Sequence, residues 1–207
     1  MTLPRQRAAG AAALLVAALL LSGCGFSVHS GSAPGCTREA ADEGLSTIDP
    51  AGVACIARHR EARFDMSEGA IDKAALGIPV DELAPDVQVD DGNVRLEIAA
   101  PAGRIVASTD HIRFPDSGDD PSRTGITYFL VADGPEKFFA LLRAGVDDYG
   151  LDGDAVERWI VDVADDPDGA SDFSFAPGTG LGLNVNYDVR YDESKSKQVV
   201  IVDVYPL

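Results

Sequence analysis

Between Leu181 and Tyr191 the chain alternates without a break. Leu181, Leu183, Val185, Tyr187, Val189 and Tyr191 are apolar, and Gly182, Asn184, Asn186, Asp188 and Arg190 separate them. Successive side chains on a strand point to opposite faces. A period of two sustained this long predicts a sheet with one dry face and one wet face. The polar run 192–197 (DESKSK) turns the chain, and 198–205 (QVVIVDVY) returns through the same sheet. Residues 126–132 (ITYFLVA) are apolar on both sides of the alternation, which marks a central strand.

Helical periodicity lies upstream of that sheet. Gly134-Pro135 opens one helix, Phe138, Leu141, Leu142 and Tyr149 form its apolar stripe, and Gly150 ends it. Asp154 and Glu157 have the spacing of a capping box for the next helix. Val156, Trp159, Ile160 and Val163 follow at helical spacing, so Trp159 is expected in the core. Asp49-Pro50 has the form of an N-cap followed by proline in the first turn. Val53, Ile56, Ala57 and Phe64 fall near one face of the helix it would start. A second short helix is expected near 67–76. Arg58, His59, Arg60 and Arg63 form a basic cluster, expected as a solvated helix face.

The stretch VQVDDGNVRL, ending at Leu96, places Asp91-Gly92 between alternating residues, a hairpin signal. The implied register pairs Val89 with Val94 and Val87 with Leu96, all on one face. Residues 104–108 and 111–114 are further candidate strands, and 116–125 is expected to be a polar loop. Paired strands with helices grouped in sequence predict an α+β domain. The expectation is a single domain over 36–207, with a mainly antiparallel sheet and helices covering mainly one face.

The N-terminal end carries a different kind of signal. Arg5 and Arg7 are followed by an apolar run from Ala8 to Leu21, and then by Ser22, Gly23 and Cys24. Basic, apolar and small is the layout of an export signal, and the run is too short for a comfortable membrane span. Leu21-Ser22-Gly23-Cys24 resembles the lipobox of bacterial lipoproteins. The resemblance implies that residues 1–23 are removed and that Cys24 carries a diacylglyceryl group on its sulfur. It implies a protein held to the cell membrane by lipid on the extracytoplasmic side. Each buried methylene contributes about 0.8 kcal/mol, and stable anchoring takes more than one chain. Residues 24–35 then read as a lipidated tether reaching about 20 Å.

Lipid on Cys24 leaves Cys36 and Cys55, and two cysteines outside the cytoplasm default to a disulfide. A short loop closed this way would add about 3 kcal/mol. The formal charge is −17, and loss of residues 1–23 would take it to −19. That much negative charge opposes binding to nucleic acid.

Catalytic patterns are scarce. There is no Gly-x-Ser-x-Gly elbow and no His-Glu-x-x-His metalloprotease pattern. His29 falls in the tether and His59 in the basic helix, so His111 is the remaining candidate base. Its neighbour Asp110 would point to the opposite face of a strand. The run 164–175 has Asp166, Asp168 and Gly169 in the manner of a calcium loop, but Ala164 and Phe175 stand where key ligands belong. Asp116, Asp119 and Asp120 read as a solvated loop. Glycine-rich 177–182 (PGTGLG) lacks the phosphate-loop lysine and leads into a strand. The sequence therefore predicts no catalytic residue, no cofactor and no metal ligand. It favours a binding or interaction domain, with another envelope protein as partner. No aromatic cluster is visible that would line a greasy pocket for a small ligand. The alternatives are an envelope enzyme, hydrolase-like, in which His111 meets carboxylates from distant segments, and a small-solute or metal-binding lipoprotein.

Overall fold

The computed structural model describes residues 44–165 and 170–207. The signal segment, Cys24, the tether and Cys36 lie outside the described residues, as do Asp166, Asp168 and Gly169 of the calcium-like run.

Helix α1 (Pro50–His59) begins as its sequence predicts: the Asp49 carboxylate accepts the Gly52 N–H at 2.7 Å. It ends sooner than predicted. Arg60 turns left-handed (φ 57°) and its N–H closes on the Ile56 carbonyl. Phe64 consequently lies on strand β1 (Glu61–Asp65) rather than on the helix. The basic cluster is divided the same way. Arg58 is exposed, whereas His59, Arg60 and Arg63 are half-buried, so it is not a single solvated face. Cys55 is disulfide-bonded.

After β2 (Ile71–Asp72), the second expected helix is only a 3-10 turn over Lys73–Leu76, closed by Gly77 at φ 73°. Strand β3 (Asp86–Gln88) does not form a hairpin with β4 (Val94–Ala100). Instead β3 pairs with β6 (His111–Arg113), and β4 lies between β1 and β5 (Gly103–Thr109). The hairpin turn is at Pro101-Ala102, with Ala100 opposite Gly103. Proline presets the first turn position there, and β4 also gains a parallel partner in β1. The expected polar loop contains a small ladder, β7 (Asp116–Ser117) with β8 (Asp120–Thr124), and β8 also pairs with β2.

The main sheet has six strands in the order β10-β11-β12-β9-β6-β3 and is antiparallel throughout. Its remaining members are β9 (Ile126–Asp133), β10 (Ala170–Ser174), β11 (Leu183–Asp192) and β12 (Lys197–Pro206). β9 is interior, as its apolar sequence requires. The smaller β1-β4-β5 sheet continues into it through Thr109, whose hydroxyl donates to the Phe129 carbonyl at 2.9 Å. The outer side of β1 is occupied by the incoming chain: Ser46 N–H donates to the Arg63 carbonyl at 2.8 Å.

Helices α2 (Pro135–Tyr149) and α3 (Gly153–Ala164) cover one face of the main sheet. Phe138 and Leu142 are fully buried, and Trp159 is core, as expected. α3 is capped by Asp152, not by the predicted Asp154 pair; the Asp152 carboxylate accepts the Ala155 N–H at 3.1 Å. Glu157 instead forms a two-point ion pair with Arg143 of α2, at 2.6 and 2.9 Å. Against the expectation, aromatic rings do gather here. Phe138, Phe139, Trp159, Phe175 and Tyr191 pack at centroid distances near 6 Å, mostly tilted or edge-on. They pack on one another and, through Trp159 and Phe175, on the exposed ring of Phe173. Below them the Tyr128 hydroxyl donates to the Tyr149 hydroxyl at 3.0 Å, with the Tyr187 ring alongside. Burial pushes all three phenols above the ordinary tyrosine range.

The glycine-rich run has a structural explanation. The Gly180 N–H caps the Tyr149 carbonyl at 3.0 Å, and a Cβ on Gly178 would lie 2.3 Å from that oxygen. The assembly is a single α+β domain.

Candidate functional site

The second face of the six-stranded sheet carries no helix among the described residues, and strand register fixes what it presents. Across β11, β12, β9, β6 and β3, one row runs Asn186, Asp203, Thr127, Arg113, Asp86. The next row runs Asp188, Ile201, Phe129, with His111 and Gln88 beyond. A third runs Asp172, Arg190, Val199, Val131. Phe129, Val131, Val199 and Ile201 thus form a two-by-two apolar patch on the central strands. Val131 is 44% exposed, and the other three are half-buried.

Charged groups frame the patch. The Arg113 Nε donates to Asp86 Oδ1 at 2.9 Å, and Arg190 lies 3.6 Å from Asp172. The Thr127 hydroxyl donates to the Asp203 carboxylate. Even so, Asp203 titrates above the usual carboxylate range, chiefly because of burial and secondarily because Asp188 repels its charge.

His111 lies on this face and is not isolated. Its Nε2 is 2.8 Å from Asp86 Oδ1, and its ring stacks on Phe129 at 4.2 Å with planes 6° apart. Its side chain is 20% exposed. Asp110 is not its carboxylate partner, as strand geometry requires. The partner is Asp86, brought by β3–β6 pairing, and nothing local in the sequence signals it. An imidazole held by a carboxylate can act as a base through its other nitrogen. Asp86 here is shared with Arg113, and no hydroxyl or thiol among the described residues hydrogen-bonds the ring.

Sequence reasoning also missed Lys73. It is fully buried and donates to the carbonyls of Val80 (3.3 Å) and Glu82 (2.9 Å), with Asp116 at 2.5 Å. Asp116 is therefore an internal counter-ion rather than a solvated loop residue. Asp120 accepts from both the N–H and the hydroxyl of Ser122. Among the described residues no group of three or more His, Cys, Asp or Glu side chains could hold a metal ion. None of their helices is long and apolar enough to cross a membrane. No protein-family model, curated protein or solved structure matches the chain.

Proposed function

We propose that the protein is a lipoprotein anchored through Cys24 on the extracytoplasmic side of the cell membrane, and that its domain binds another envelope protein. The anchor rests on the lipobox-like Leu21-Ser22-Gly23-Cys24. The binding role rests on one observation: the apolar patch of Phe129, Val131, Val199 and Ile201 lies in the middle of a sheet face with charged groups around it. An apolar centre within a polar rim is the anatomy of a protein interface. Arg113 and Arg190 are each engaged by a carboxylate, while Asp188 and Asp203 remain in excess, so the complementary surface is basic.

The test is capture from solubilised envelope using the full chain tagged after Leu207, with Ile201→Asp as the control. A stoichiometric partner lost in the variant supports the reading; a partner retained by Ile201→Asp, or an empty capture, argues against it. The anchor is tested separately: a Cys24→Ala chain that still fractionates as a processed membrane protein removes the lipobox reading.

The contact between His111 and Asp86 favours a second reading, an envelope hydrolase using His111 as base. Hydrolysis of an envelope ester or amide that disappears in His111→Asn and keeps the parent's fold would favour it over the interaction role.

A further inference from the structure

A cleft of about 640 Å³ opens between the start of α1 and the segment leading into β3. That is within the roughly 300–1,000 Å³ typical of small-molecule sites. Its apolar lining comes from Ile48, Pro50 and Val53 at the start of α1 and from Ile78, Pro79 and Leu83 in the segment before β3. Among the described residues, the ionisable side chains lining it are Asp49, Glu82 and Asp86, all acidic, and no Lys, Arg or His lines it. Two of the three carboxylates are engaged. Asp49 caps α1, and Asp86 holds His111 and Arg113. The Glu82 carboxylate has no hydrogen bond or ion pair among the described residues.

The wall that carries Glu82 is fixed from behind. Buried Lys73 binds the carbonyls of both Val80 and Glu82, and Pro79 and Pro85 stiffen the segment between β2 and β3. Leu83 is 77% exposed at the mouth, an apolar side chain left in water on a segment that its own backbone contacts hold in place. Walls fixed before binding lose little entropy on binding. An apolar lining whose charged members are all negative selects a positive charge on an apolar body. An anion would be repelled, and a bare metal ion would find too few free ligands.

We propose that this cleft is a binding site for a small organic cation, an amine carried on an aliphatic or aromatic body. Its ammonium pairs with Glu82, and its body lies against Ile48, Val53, Ile78 and Leu83. The inference does not depend on the open sheet face engaging a partner.

The test uses the full chain in lipid nanodiscs, titrated with cyclohexylmethylamine and followed by amide NMR shifts. Cyclohexylmethanol and cyclohexanecarboxylate serve as neutral and anionic matches. The expected result is saturable shifts at Ile78, Leu83 and Gln88, with the amine binding about tenfold tighter than the alcohol and the carboxylate not binding. Glu82→Gln should erase the amine's advantage and leave the alcohol unchanged. Leu83→Ser should weaken both alike. Since both side chains lie outside the core, neither variant should impair folding. Shifts mapping elsewhere, equal affinity for amine and carboxylate, or an amine affinity untouched by Glu82→Gln would overturn the proposal.

Discussion

The two faces of the six-stranded sheet are made by the same strands and have opposite characters. On the helix-covered face, Val185, Tyr187, Val189, Val200, Val202 and Tyr128 are all buried, and the phenols find partners in one another. On the other face, every second residue of β11 and β12 is half-buried at most, and its apolar residues sit among carboxylates and guanidinium groups. The pleat alone separates the two sets, since neighbours in sequence point opposite ways. The covered face holds the domain together. The open face leaves the apolar side chains of Phe129, Val131, Val199 and Ile201 partly in water, and this makes it the candidate for binding.

The sharpest way to break that contrast is a pair of phenylalanine truncations. Phe138→Ala on the covered side should lower unfolding free energy by about 3–5 kcal/mol. Phe129→Ala on the open side should cost about 1 kcal/mol, the scale of an ordinary substitution. Urea unfolding measures both. Equal losses would mean the open face is packed against something in the folded chain.

Gly145→Ala should come next. A Cβ at that position would lie 2.8 Å from side-chain atoms of both Leu151 and Tyr187, beneath α2. Overpacking of this kind costs about 1–3 kcal/mol. A thermal midpoint equal to the parent's would show that α2 sits more loosely on the sheet than its contacts imply.

The smallest effect is expected at Asp203 on the open face. Burial, aided by Asp188, raises its pKa in the folded state despite the Thr127 hydroxyl and the nearby Arg113. A raised carboxylate pKa means ionisation costs more in the folded state than in the unfolded one. This group therefore supports folding at low pH, and that support is lost as pH rises through the folded-state value. Asp203→Asn should match or exceed the parent's stability at pH 7, within about 1 kcal/mol. Its advantage should shrink as pH falls toward about 4, the ordinary carboxylate range. A variant less stable than the parent at pH 7 would show that the charged form is favoured instead.

What could be read from the sequence depended on whether the signal was local. α2 was legible because Pro135 starts it, Gly150 ends it, and its stripe lies between them. The β11–β12 pair was legible because its partners are adjacent in sequence. Asp91-Gly92 misled because a turn-forming pair says nothing about which strands will bond. β4 gained two partners by pairing with β1 and β5, where the expected hairpin offered one. Phe64 was misassigned because no glycine or proline announces the left-handed turn at Arg60. At the candidate site, His111 could be reached by elimination among three histidines. Asp86 could not, because it comes from another strand. The role of Lys73 was equally invisible: its partners are two backbone carbonyls and a carboxylate in a separate ladder.

The position of β12 sets the order of events as the chain is made. It bonds to β11 on one side and to β9 on the other, at the middle of the main sheet, yet every other strand of that sheet precedes it in synthesis. Until residues 197–206 emerge, β9 lacks one neighbour and β11 is tied only to the edge strand β10. The nascent chain therefore cannot close its sheet early. Closure of the main sheet waits for residues 197–206 to take their place between β9 and β11.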